Sequence, residues 1–353
     1  MPDMKKLYGP SRLVAALIAA ASLTGCNLVL LNPAGDVAAQ SGNLVIIATL
    51  LMLIIIVPVV ILTFFFAWKY RESNQAAAAE YDPEWHHSTI LELIIWSVPL
   101  LIVIALGALT WIYTHKLDPY RPLDRIDANR PVAADVKPLE VEVVAMDWKW
   151  LFIYPEQGIA TVNELAAPVD RPIRFKLTST TTMNAFYVPD LAGMIYAMPS
   201  METQLNAVIN KVGVYKGMSS HYSGAGFAGM TFKFHGLSDN DFTAWVQKAK
   251  TEGATLDRAT YLTLEKPSER DPVRLFSNVD GKLYHAILNR CVPDGKMCMD
   301  EIMAKDALAN IKARAAAGKS ASLIPLDDVC TAGNAAQVVA ALRTDGTDAT
   351  VAQ

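Results

Sequence analysis

Four cysteines serve the whole 353-residue chain, Cys26, Cys291, Cys298 and Cys330, and the long stretch from Asn27 to Arg290 has none. A thiolate copper site, binuclear or blue, needs cysteine sulfur. No such site can therefore be assembled from the middle of this chain by its own residues. Charge of one sign is also lacking: 31 basic residues against 35 acidic give a formal net charge of -4, with no electrostatic footprint for nucleic acid. There is no phosphate-binding glycine loop, no Ser/His/Asp arrangement and no catalytic carboxylate pair.

Polar residues are scarce before residue 117, and this is where the chain meets a different solvent. From Leu44 to Trp68 almost every residue is apolar. At 1.5 Å per residue about 25 residues cover roughly 37 Å, enough for a hydrocarbon core of about 30 Å. Lys69 and Arg71 follow as a cytoplasmic flank, and a polar loop leads to a second span from about Thr89 to Tyr113, where Trp111 and Tyr113 suit the far interface. Both ends of this hairpin are expected on the exported side. The N-terminus agrees: Lys5, Lys6 and Arg12 precede a short apolar run and then "LTGC", the bacterial lipoprotein pattern, in which cleavage before Cys26 leaves its thiol to carry lipid.

Beyond Lys116 prolines and charges form a linker. Then "LEVEVVAMDWKWLFIYP", "RPIRFKLTST", "MNAFYVPDL", "METQLNAVIN" and "GMTFKFHG" read as short strands broken by Gly, Pro and Asn. One Greek-key β domain is expected from about Leu139 to Gly236. Ser238 can cap a helix in which Phe242, Trp245, Val246 and Ala249 repeat at helical spacing. A second short helix near Leu256–Leu262 and the segment "DPVRLFSNVDGKLYHAIL" are expected to complete a helical arm. The final Ala-rich stretch, 293–353, has little to bury, so some helix and a disordered end are expected.

The order of these segments, with "HSTILELIIWSVP" at the second span, "MDWKW" opening the sheet and "GVYKGMSSHYSGAGFAGM" closing it, resembles subunit II of the haem-copper terminal oxidases. The resemblance covers roughly residues 40 to 236. It implies a membrane α + β fold: a two-helix transmembrane hairpin at 26–116, a periplasmic cupredoxin-like Greek-key barrel at 117–236 and a helical arm at 237–292, after a signal peptide at 1–25.

Members of that family that take electrons from cytochrome c hold a binuclear copper, CuA, between a His and a loop of the form Cys-x-Glu-x-Cys-x-x-x-His-x-x-Met. In this chain Asn184 stands at the first His, Ser219 and Ser223 at the bridging cysteines, His221 at the Glu and Phe227 at the second His; only Met230 is kept. An alkoxide is too hard and too basic to replace a bridging thiolate. The loop reads as an emptied site, held by packing, with Phe227 and Tyr222 expected to fill the space.

This pattern of loss is similar to the quinol branch, subunit II of the cytochrome bo-type ubiquinol oxidases. That resemblance implies a subunit with no redox centre or metal of its own, in the bacterial inner membrane, with its β domain and C-terminus in the periplasm. Its expected partners are subunit I, which carries haems and CuB, the smaller subunits, membrane lipids and, through subunit I, ubiquinol; no cytochrome c or nucleic acid is expected. The alternatives are a membrane-anchored β-domain lipoprotein with a scaffolding role and a cytochrome c oxidase subunit II, which the missing cysteines oppose.

Glu92 stands in the first turn of the second span, where an ionised carboxylate must be paired, protonated or facing water. The resemblance makes it the entry residue of the proton path called the K channel, assisted by His87 and Ser88. Trp148, Trp150, Phe152 and Tyr154 alternate and are expected on one strand face as packing. On the exported side one disulfide is expected, Cys291 to Cys298 across a turn with Pro293 and Gly295, leaving a spare thiol.

Overall fold

The computed structural model describes residues 29–74, 84, 86–133 and 135–316. Cys26, Cys330 and the Ala-rich end after residue 316 lie outside them. The chain divides into two compact units, residues 1–121 with 189–193, and residues 122–188 with 194–353.

The first unit is a helical hairpin, α1 at Asp36–Lys69 and α2 at Thr89–Lys116, both long and apolar enough to cross a membrane. Helix α1 begins eight residues before the expected span at Leu44, because Asp36 and Gln40 form their own first-turn hydrogen bond at 2.7 Å and Ala34 and Gly35 both donate to the Asp190 carbonyl at 2.9 Å. A 3-10 turn at Val29–Leu31 lies against α1 at Gly42, where a Cβ would come within 2.7 Å of the Leu30 carbonyl oxygen. Thr49, Thr63, Thr110 and Thr114 return their hydroxyls to the carbonyl four residues back, so these polar groups are satisfied within their own helices.

The second unit is built on two sheets. The larger has the order β10-β7-β3-β4-β5-β14-β13, with β3 Leu139–Met146, β4 Lys149–Tyr154, β5 Ile159–Val162, β7 Ile173–Ser179, β10 Thr203–Ala207, β13 Ala254–Leu256 and β14 Arg274–Val279. The smaller runs β6-β12-β11-β8-β9, with β6 Glu164–Pro168, β8 Asn184–Tyr187, β9 Ile195–Ala197, β11 Gly213–Ser219 and β12 Thr231–Leu237. A two-stranded ribbon, β1 Arg125–Asp127 with β2 Arg130–Pro131, precedes them. β3 runs parallel to β7 and β6 parallel to β12, while hairpin neighbours such as β3 and β4 are antiparallel.

Alternation along β4 explains why "KWLFIY" is buried at every position. Trp150, Phe152 and Tyr154 face the smaller sheet: Trp150 meets Phe186 and Phe232 at 5.5 and 5.7 Å between ring centres, and Phe152 meets Phe232 at 5.0 Å. Leu151 and Ile153 point the other way, into a second core with Leu256, Tyr261, Leu264, Phe276, Leu283 and Ile287. Each such large side chain stabilises the fold by about 1.5–3 kcal/mol.

That second core adds two short strands to the expected helical arm. Helix α3, Asp239–Glu252, is capped by Ser238 as its sequence requires, and α4, Arg258–Leu264, and α5, Leu283–Leu288, follow. Between them, however, β13 and β14 extend the larger sheet, β14 pairing antiparallel to β5. "RLFSNV" alternates as a strand should, but its charged flanks hide the signal. The stretch after residue 293 carries a further helix, α6 at Met299–Ala316.

Candidate functional site

The loop from β11 to β12 brings together only some of the residues expected at copper-ligand positions. Ser219 closes its base, donating its backbone N–H to the Met230 carbonyl at 3.1 Å, while its hydroxyl lies 3.2 Å from Asn184 Oδ1. Asn184, Ser219 and Met230 are all buried there. His221 turns away, its ring edge-on to Tyr196 at 5.9 Å, and Phe227 sits on a 3-10 turn, Phe227–Gly229.

Trp148 shapes the rest. Its indole Nε1 donates to the Ser223 carbonyl at 2.8 Å. A Cβ at Gly226 would lie 2.5 Å from the indole and one at Gly224 3.0 Å, the latter at a φ of +114° that favours glycine in any case. The glycines let the loop close over the ring. Tyr222 is 72% exposed, its ring edge-on to Phe227 at 5.6 Å between centres, so the expectation that it fills interior space is corrected; the half-buried Trp148 is the ring the loop packs against. Trp148 precedes β4 and does not share the core face of Trp150, Phe152 and Tyr154. The sequence held a signal for this, since "SGAGFAG" spaces its glycines for a close approach and the aromatic alternation has one member too many for the strand.

Chemically, the positions equivalent to copper ligands offer a neutral amide oxygen, hydroxyls, one imidazole and one thioether. Hard neutral oxygens cannot bridge two coppers as thiolates do. The donor set does not fit CuA.

An imidazole–carboxylate pair stands at the start of α2. Ser88 caps the helix by accepting from Leu91 N–H at 3.4 Å, and Glu92 follows one turn in, near the positive end of the helix dipole. His87 Nδ1 lies 2.9 Å from Glu92 Oε1, and Thr89 Oγ1 lies 3.3 Å from His87 Nε2. A carboxylate hydrogen-bonded to an imidazole can receive a proton and pass it on.

Two polar clusters were not foreseen. Lys149, wholly buried, donates to the carbonyl of Lys266 at 2.8 Å and to the Ser268 hydroxyl, and pairs with Asp271 Oδ2 at 3.3 Å. Burial would raise the Asp271 carboxyl, but Ser268, Lys149 and Arg274 together hold it below its ordinary range. On β3, burial pushes the Glu142 carboxyl up to about 7, with Lys176 opposing and Glu140 and Glu202 adding to the rise. In the arm, Cys291 and Cys298 are joined by a disulfide, with Cα atoms 4.8 Å apart.

Residues 155–235 match the family model described as cytochrome c oxidase subunit II, periplasmic domain, and residues 250–295 match the COX aromatic rich motif. The chain is 48% identical over 268 residues to cytochrome bo(3) ubiquinol oxidase subunit 2 of Pseudomonas putida, covering 76% of this chain and 82% of that one. It is 44% identical over 300 residues to ubiquinol oxidase subunit 2 of Acetobacter aceti, covering 85% and 94%. Among solved structures, the periplasmic domain of subunit II of the Bradyrhizobium japonicum cytochrome oxidase aligns at 25% identity with a TM-score of 0.32, over 35% of this chain and 99% of that domain.

Proposed function

The chain belongs to the subunit 2 family of ubiquinol oxidases, and from that premise we propose how its parts serve the complex. It is subunit II of an enzyme that oxidises ubiquinol and reduces oxygen to water, and it carries no electron itself. The observation behind this reading is the donor set of residues 184 and 219–230, in which no thiolate faces the loop. Electrons from a membrane-soluble quinol need no exported entry port, so the loop keeps its path by packing on Trp148.

The hairpin anchors the subunit in the inner membrane with the β domain in the periplasm, beside subunit I, where the haems and CuB carry out oxygen reduction. Glu92 is the cytoplasmic entry residue of the proton path, and His87 orients its carboxylate through the 2.9 Å contact. Acylation of Cys26 adds a second membrane attachment at the mature N-terminus.

The test compares oxygen uptake by the purified complex with ubiquinol and with reduced cytochrome c, alongside copper per haem. Quinol-driven uptake with a single copper per complex is expected. Cytochrome c-driven uptake with extra copper would overturn the reading of the loop, and absence of both activities would favour a scaffolding lipoprotein.

A further inference from the structure

Between residues 203 and 238 the chain has no acidic residue, while Lys211, Lys216 and Lys233 stand there with His221 and His235. This local excess of positive charge occurs in a chain whose formal net charge is -4. Strands β11 and β12 carry Lys216, Lys233 and His235.

Antiparallel pairing sets Lys216 directly opposite Lys233, and Val214 opposite His235. Alternation turns all four outward, because Phe232 and Phe234 are buried on the core side and a Cβ at Gly217 would strike the Phe232 ring. Like charges directly opposite on one face destabilise a sheet. Among the described residues neither ammonium forms an ion pair, and Glu164, in register with Lys233 on β6, is engaged by His235 Nε2 at 3.0 Å instead. Val212 and Val214 beside them are 65% and 63% exposed. The face is therefore positive and partly apolar, and a carboxylate laid across it would relieve the repulsion.

A segment of matching chemistry belongs to the same chain. Residues 317–353 contain Asp327, Asp328, Asp345 and Asp348 against Lys319 and Arg343, and the two adjacent aspartates follow an apolar run, "LIPL" at 323–326. Helix α6 ends at Ala316, and the residues beyond it can reach about 120 Å at full extension, several times the radius of a folded unit of this size. Tethering also raises the effective concentration of the segment at the face, so exposed charge pairs and small apolar contacts suffice to seat it.

We propose that residues 323–328 dock on the outer face of β11 and β12, with their aspartates on Lys216 and Lys233 and their apolar side chains on Val212 and Val214. In the purified complex a nitroxide would be attached to Cys330, beside the aspartates, and the ratio of immobile to mobile label read from its spectrum, with C330S supplying the background. Immobile label is expected in the wild type, with the ratio about three- to tenfold lower in K216Q/K233Q, the scale of two lost exposed ion pairs. High salt should lower it as well. K248Q/K250Q, which removes the same charge from α3, should leave the ratio unchanged, and K216E/K233E combined with D327K/D328K should restore it. An equal ratio in the wild type and K216Q/K233Q, or an equal loss in the α3 control, would overturn the proposal. So would a ratio that falls on dilution, which would mean that a second copy of the chain receives the segment.

Discussion

Trp148 Nε1 donates to the Ser223 carbonyl at 2.8 Å, and the Gly226 α-carbon faces the same indole with no room for a side chain. The relation fixes the loop without a metal. Gly226→Ala would place a Cβ 2.5 Å from the ring, an overpacking that costs about 1–3 kcal/mol. The expected outcome is a lower thermal midpoint and faster exchange in residues 217–230. Adding Trp148→Ala should recover part of the loss caused by Gly226→Ala, since it removes the atoms in conflict; strict additivity of the two changes would refute the contact.

The side chains of this loop decide the metal question. Asn184→His, Ser219→Cys, His221→Glu, Ser223→Cys and Phe227→His together, with Met230 retained, should yield a chain that takes up copper and gains strong thiolate-to-copper absorption in the visible. The wild-type chain, treated alike and desalted, should keep no stoichiometric copper. A five-substitution chain that stays colourless would mean that the assigned positions do not face one another.

Lys149→Met should be among the most destabilising single changes in the β domain. It leaves the Asp271 carboxylate, 10% exposed, without its ammonium partner, a loss of about 3–5 kcal/mol for a broken buried pair. Asp271 also gives this region a pH signature. Its carboxyl is held below the ordinary value of 3.8, so its stabilisation is present above that value and is lost as pH falls through the lowered one. Thermal melts from pH 6 down to 3 should show this acid loss in the wild type and a weaker one in Lys149→Met.

Much of this architecture was legible in the chain, for identifiable reasons. The spans, the Ser238 cap and the aromatic core of β4 follow from hydrophobic runs and period, which are local properties. β13 and β14 were hidden because β14 pairs with β5 across more than a hundred residues and β13 joins the sheet only through β14, contacts set by the tertiary fold. Lys149 reads as a surface residue until Ser268 and Asp271 come to meet it. At the loop, the missing thiolates were visible in composition, whereas the role of Trp148 depends on a close approach that only the fold supplies.

At the start of α2 the prediction concerns turnover and leaves assembly intact. Glu92 and His87 are 51% and 62% exposed in this chain, so their replacement removes little packing. Glu92→Gln should slow ubiquinol-driven oxygen uptake by about an order of magnitude or more, the scale of a lost proton-transfer group, with normal haem content. His87→Ala should have a smaller effect, since the carboxylate remains and loses only its 2.9 Å partner. Unchanged uptake in Glu92→Gln under proton-limited conditions would remove this residue from the path.

Glu142 offers a pH response of opposite sign to that of Asp271. Its carboxyl is raised from 4.5 to about 7, chiefly by burial, with Glu140 and Glu202 adding to the rise and Lys176 opposing it. The folded chain therefore holds a proton that the unfolded chain releases. Stability from this group is complete below about pH 4.5, declines as pH rises towards 7 and is absent above it. Discounted for solvent screening at a half-buried site, the loss amounts to about 2 kcal/mol at most. Glu142→Gln keeps the neutral shape at every pH, so its thermal midpoint should stay level from pH 5 to 8 while that of the wild type falls. The variant should then be the more stable protein at pH 8, and equal slopes for the two would show that Glu142 is ionised throughout.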